Sequence, residues 1–292
     1  MQLPALPRSG SPHAWLPALV LLTTISACAA VDTAPSLGSL ATQAAASVSP
    51  VTSPSEASDG PSGSFAVADG RELYLDCQGE GSPTVILEAG DGSGTEEWSL
   101  VQADLAEVTT TCAYDRGGIG QSDPITGCRQ LDDLTADLEQ LLDAAGVGPP
   151  YVLVAGSGGG FIASGFAQDH ADEIAGMVFL DVPMAFLDAP PEVVEETACD
   201  HPGNIERRDF LQVEADAWNN RSEIGDIPVT IISNDPGPDA PPEEQGNVEA
   251  QRGWLLLSPQ AEQVVVESGH DVANTEPDLV VTEVSEVIEA VQ

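Results

Sequence analysis

The stretch Tyr151-Val-Leu-Val-Ala-Gly-Ser-Gly-Gly-Gly160, running straight into Phe161-Ile-Ala-Ser-Gly-Phe-Ala-Gln168, decides how this chain is read. Its apolar start is short and ends abruptly, as a buried strand does, and Phe161 to Gln168 then follow a helical period. Between them the glycines allow a turn that residues with side chains would resist. Ser157 is thereby placed at the head of a helix, where unpaired N–H groups and the helix dipole favour negative charge.

Working outward, strands and helices alternate. Residues 71–77 alternate apolar and polar, 84–88 form a short apolar run, and 109–114 a third strand, with a helix expected over 96–106. Leu131, Leu134, Leu138, Leu141 and Leu142 recur at helical spacing, and Gly146 ends that helix. Strands are expected at 151–155, 176–180, 229–233 and 263–267, and a closing helix over 277–290. The alternation predicts an α/β fold with a mostly parallel central sheet and helices on both faces. Residues 182–226 interrupt it with helical pieces and are expected to form a small lid.

Composition sets limits. Of 292 residues, 48 are acidic and 8 basic, every basic residue is Arg, and the formal net charge is −40. Such a surface repels nucleic acid and anionic lipid, so neither is an expected binding partner. It keeps the protein soluble, and it also suits high ionic strength, where self-repulsion is screened.

The first residues belong to export rather than to the fold. Arg8 and His13 precede the apolar run 14–25, which is short for a membrane span. The run ends in Ile25-Ser26-Ala27-Cys28, which resembles the lipobox of bacterial lipoproteins. That resemblance implies a signal peptide over 1–27, cleavage before Cys28, lipidation of its sulfur, and a membrane-anchored protein facing the extracellular side. An ordinary signal peptide cut near Ala27 to Ala30 is the simpler alternative. Residues 28–63 are rich in Ala, Ser, Thr and Pro with few large apolar side chains, so they read as a disordered tether. Cys77, Cys112, Cys128 and Cys199 lie beyond it; in an exported chain four cysteines allow two disulfides and three pairings.

Two chemistries compete for the glycine-rich turn. Gly158-x-Gly160-x-x-Ala163 matches the dinucleotide-binding fingerprint, with Asp181 placed where a ribose-binding acid is expected. The other pattern is small-x-Ser-x-Gly, with Ala155 and Gly159 at the small positions, and it resembles the nucleophile elbow of the α/β hydrolases. Two more blocks carry that resemblance. Tyr114-Asp-Arg-Gly-Gly-Ile-Gly-Gln-Ser-Asp123 looks like the family's loop after its fourth strand, and Ser268-Gly-His-Asp-Val-Ala-Asn-Thr-Glu-Pro277 like its histidine loop. The turn also sits mid-chain, and an exported protein meets little nicotinamide cofactor. The hydrolase reading therefore takes precedence; a non-catalytic binding module of the same fold and a dinucleotide-dependent oxidoreductase stand as alternatives.

The resemblance implies an α/β-hydrolase domain over 64–292 that acts as a serine esterase, with Ser157 as nucleophile and His270 as general base. Of the other histidines, His13 is in the signal segment, His170 late in a helix and His201 in the lid. For the acid, Asp181 at the end of the sixth strand is preferred. Asp235, after the seventh, is the alternative. It falls two residues short of the usual position, which Gly237 occupies. Ala89-Gly90-Asp91 occupies the oxyanion-loop position, so the N–H groups of Gly158 and Asp91 would form the oxyanion hole. An acidic side chain there is awkward unless turned away. His is common in the family at positions 89 and 156, which are Ala and Gly here. The reaction needs no cofactor and no metal. In the family's strand order the strand of Cys77 lies beside that of Cys112, which makes that pairing possible; Cys128 and Cys199 would then both lie near the lid. Apolar lid residues, among them Phe186, Leu187, Val193, Val194, Phe210 and Trp218, would make the pocket partly apolar, unless they serve packing alone.

Overall fold

The computed structural model describes residues 60–187, 189–241 and 246–292. The signal segment 1–27, Cys28 and the tether up to residue 59 lie outside the described residues.

Among the described residues eight strands form one sheet: β1 (Ser62–Ala66), β2 (Glu72–Gln78), β3 (Thr84–Glu88), β4 (Thr111–Asp115), β5 (Tyr151–Gly156), β6 (Ile174–Leu180), β7 (Val229–Asn234) and β8 (Ala261–Val266). Their spatial order is β1-β2-β4-β3-β5-β6-β7-β8. The β1–β2 and β2–β4 pairs are antiparallel, and every pair from β4 to β8 is parallel. The first strand corrects an expectation, because the expected tether runs to residue 63 and β1 already begins at Ser62. Its sequence Ser-Gly-Ser-Phe-Ala shows no apolar alternation. It forms because the edge of β2 supplies its hydrogen bonds.

Among the described residues eight α-helices follow in chain order: α1 (Gln102–Ala106), α2 (Leu131–Ala145), α3 (Gly159–Asp169), α4 (Pro191–Thr197), α5 (Phe210–Asn220), α6 (Asn247–Gln251), α7 (Val272–Thr275) and α8 (Pro277–Val291). The helix expected over 96–106 is split into a 3-10 turn, Thr95–Trp98, and α1, with Trp98, Val101 and Leu105 all buried. In α2 the buried leucines form the predicted stripe. A reciprocal Gln130/Asp133 capping box starts this helix and Gly146, at φ 71°, stops it.

β3, β4 and β5 are buried along their whole length, as expected of parallel strands covered on both faces. One face packs Leu138, Leu141, Phe161, Phe166 and Trp254 against the sheet. The other packs Trp98, Leu105, Val280, Val284 and Ile288, so the closing helix α8 completes the second layer. Between β6 and β7 the chain carries α4 and α5.

Both disulfides join elements that already touch. Cys77 faces Cys112 in the β2–β4 register, and the two are bonded. Cys128 is bonded to Cys199, tying the loop before α2 to the β6–β7 segment. A parallel bridge between Arg129 and Arg208 fastens the same two stretches.

Candidate active site

The parallel strands deliver three side chains to one edge of the sheet. β5 ends at Gly156, and Ser157 follows at φ 45°, a left-handed conformation that costs a non-glycine residue about 1–3 kcal/mol. The neighbours enforce it. The Ser157 N–H donates to Leu180 O at 2.9 Å, and its carbonyl accepts from Gly160 N at 3.0 Å as α3 begins. The glycines of this turn are required by packing. A side chain on Gly159 would strike the carbonyl oxygens of Glu88 and Ala89, one on Gly160 the side chain of Val182, and one on Gly156 the carboxylate of Glu97. The run that imitates a dinucleotide fingerprint is thus accounted for by contacts within the protein.

Ser157 Oγ lies 2.8 Å from His270 Nε2, and His270 Nδ1 lies 2.7 Å from Asp181 Oδ2. Asp181 is buried, immediately after β6, and also left-handed at φ 47°. Its second oxygen accepts from Asn234 N at 3.1 Å and from Gln251 Nε2 at 2.7 Å. The Asn234 side chain completes the frame, since its Oδ1 accepts the N–H groups of Ser268 and Gly269 in the histidine loop. The Asp181 carboxylate on Nδ1 holds the His270 imidazolium above its ordinary range, with burial opposing.

Asp235, the alternative acid, stands outside this array. Its N–H pairs with Val266 O at 2.7 Å, carrying the β7–β8 pairing past the strand end, and its exposed carboxylate turns back onto Gly237 N at 2.9 Å. It caps a turn, as such carboxylates commonly do.

A cavity of about 490 Å³ opens beside Ser157 and His270, lined also by Gly90, Asp91, Glu96, Glu97, Asp271 and Asn274. The pocket is partly apolar, as expected, but through Leu180, Val272 and Ala273, whereas the apolar side chains of the β6–β7 segment lie elsewhere. Trp218 packs edge-on against Trp254 with ring centroids 5.0 Å apart, and Phe210 lies 4.2 Å under the Arg208 guanidinium. Phe186, Leu187 and Val194 are exposed.

The loop after β3 is held from behind by buried charges. Arg116, from the Asp-Arg-Gly-Gly block, donates to Ala89 O and Gly90 O, each at 2.6 Å, and to Glu88 Oε1 at 2.6 Å. Glu206 accepts from Arg116 Nε and from Gly92 N, both at 2.7 Å. Glu97 accepts from Gly90 N at 2.8 Å, and burial pushes its carboxyl up. Arg208 is paired with Asp91; burial pulls the guanidinium down to about 10, so it stays cationic at neutral pH. Sequence reasoning assigned no role to Arg116, Glu97, Glu206, Arg208, Asn234 or Gln251. Only Arg116 carried a signal, as part of a quoted block.

Comparison with known proteins agrees with this architecture. A family profile described as "alpha/beta hydrolase fold" matches residues 83–198. A solved thermophilic esterase from Thermogutta terrifontis superposes with TM-score 0.59 at 21% identity, covering 79% of this chain and 98% of that one. The enol-lactonase from Burkholderia xenovorans gives TM-score 0.63 at 18% identity, covering 77% and 99%. The chain has the α/β-hydrolase fold. Among sequence relatives, the uncharacterized protein YqjL of Bacillus subtilis is 28% identical over 208 residues, which is 70% of this chain and 82% of YqjL. A probable transporter from Hormonema carpetanum is 33% identical over 105 residues, which is 35% of this chain and 15% of that protein. In the α/β-hydrolase fold, residues at the carboxyl ends of the strands face the ligand crevice, and Ser157, Asp181 and His270 all follow strand ends here.

Proposed function

We propose that this chain is a serine hydrolase that cleaves carboxylic esters through an acyl-enzyme on Ser157. The observation that carries this reading is the continuous relay from Ser157 Oγ through the His270 imidazole to Asp181, with both carboxylate oxygens of Asp181 engaged. An esterase and an enol-lactonase among the structural neighbours support it, since both names denote attack on an ester carbonyl.

In this mechanism His270 Nε2 takes the proton of Ser157 as Oγ bonds to the carbonyl carbon. Asp181 fixes the tautomer that leaves Nε2 free to accept, and it stabilises the imidazolium. The N–H groups of Gly158 and Asp91 receive the negative charge of the tetrahedral intermediate; each such donor is worth about 3–4 kcal/mol. The imidazolium then protonates the departing alcohol. Water, activated by the same imidazole, frees the acid and restores Ser157.

We further propose that the protein acts outside the cytoplasm, with Cys28 as the lipid anchor of a tethered domain. Two disulfides support an oxidising compartment. A panel of p-nitrophenyl esters graded by acyl length tests the activity. Turnover that Ser157→Ala removes is the expected result, and turnover that survives this change refutes the nucleophile. Loss of membrane association in Cys28→Ala tests the anchor.

A further inference from the structure

We propose that Arg208 is a positioning residue for the oxyanion loop: supplied by the β6–β7 segment, it neutralises Asp91 so that the Asp91 N–H can serve the tetrahedral intermediate. The inference rests on the serine-hydrolase reading. An acidic residue at an oxyanion position poses an electrostatic problem, because its carboxylate opposes the charge that the backbone N–H is there to receive. The Asp91 carboxylate is not directed away from the site; it lies against Gly158, where any side chain would overlap it. Both expected oxyanion donors therefore flank one carboxylate.

Arg208 supplies the countercharge. Its side chain is almost completely buried, whereas that of Asp91 keeps 39% of its surface. Among the described residues its Nε and Nη1 have no hydrogen-bond partner; Asp91 is its close ionic partner, and Glu206 Oε2 lies farther off, 3.9 Å from Nη1. Its position is fixed by several contacts: the bridge to Arg129, Asn204 Nδ2 on its carbonyl at 2.7 Å, and the Phe210 ring under the guanidinium. The rest of the loop is claimed on either side. Arg116 takes the Ala89 and Gly90 carbonyls, Glu97 the Gly90 N–H and Glu206 the Gly92 N–H. Among the described residues no acceptor takes the Asp91 N–H that lies between them.

The test is steady-state hydrolysis of p-nitrophenyl acetate by the full chain and by Arg208→Met, Arg208→Lys, Asp91→Asn and the Arg208→Met/Asp91→Asn double variant, with Tm measured for each. Arg208→Met is expected to lower kcat about tenfold or more with KM within about threefold, the pattern of a lost transition-state interaction. Asp91→Asn in that background should recover kcat about fivefold or more, and Arg208→Lys should stay within about threefold of the parent. A purely structural Arg208 would not be rescued by removing its partner. A double variant as slow as Arg208→Met, both folded, overturns the proposal. If neither folds, Arg208→Lys decides: a kcat within about threefold of the parent value supports the proposal, and a larger fall overturns it. Ester turnover that persists in Ser157→Ala defeats the hydrolase reading itself, separately from these outcomes.

Discussion

Gln251 donates its side-chain N–H to Asp181 Oδ1 at 2.7 Å, on the oxygen opposite the one that holds His270. The acid is thus oriented from α6, far along the chain, as well as by the end of β7. A hydrogen bond to a charged group contributes about 1.5–3 kcal/mol. Gln251→Leu should therefore lower kcat about tenfold, part of that energy being retained through Asn234 N. Asp181→Asn should cost far more, since it disturbs the imidazole tautomer, with losses near 10⁴-fold known for this chemistry. Asp235→Asn should change the rate less than about twofold, its carboxylate holding only a local turn. Rates of the three variants on one ester check this ranking, and a severe loss in Asp235→Asn would move the acid to the end of β7.

The pH profile follows from the same relay. His270 must be neutral to accept the Ser157 proton, and Asp181 holds its imidazolium above the ordinary range. The acid limb of kcat/KM should accordingly fall above the pH of an unperturbed histidine. In Asp181→Asn it should move to lower pH, because the charged form loses its partner. A limb that stays in place in that variant would separate Asp181 from His270. For stability the sign is opposite. A raised imidazole contributes fully below its unfolded pKa, and the contribution is lost as pH rises through the folded value.

Salt should stabilise the protein. A formal net charge of −40 on 292 residues leaves most carboxylates without a cationic partner. The Debye length falls from about 10 Å at 0.1 M to about 3 Å at 1 M salt, which weakens repulsion most in the compact state. Tm should rise substantially between low salt and 1 M NaCl, with little change in KM for an uncharged ester. Mild acid should also help. Burial raises the carboxyls of Glu97 and Glu214, so folding takes up protons there and is favoured as pH falls toward their folded values. A Tm flat in NaCl would mean that the charges are too widely spaced to matter.

What was legible in the sequence was what short-range pattern encodes. The apolar run, the glycines and Ser157 sit within ten residues, and the turn they dictate is the turn observed. His270 was legible by elimination and by its place after the last strand. The β1 edge and the 247–257 stretch were not, because neither has a period: β1 forms by pairing with β2, and α6 by packing beside β7 and β8. The residues that hold the site were invisible for a related reason. Glu97, Glu206, Arg208 and Gln251 act on partners 7 to 117 positions away, and no local spacing records such contacts.

One measurement bears most directly on the central claim, that Ser157 is the nucleophile activated by His270. The purified protein is treated with a fluorophosphonate, digested, and mapped by mass spectrometry, alongside His270→Ala. One phosphonylated residue, Ser157, is expected, with labelling of His270→Ala slower by about 10²-fold or more, since an unassisted serine hydroxyl is a weak nucleophile. Adduct on a different residue, no adduct at all, or equal labelling without His270 would contradict it.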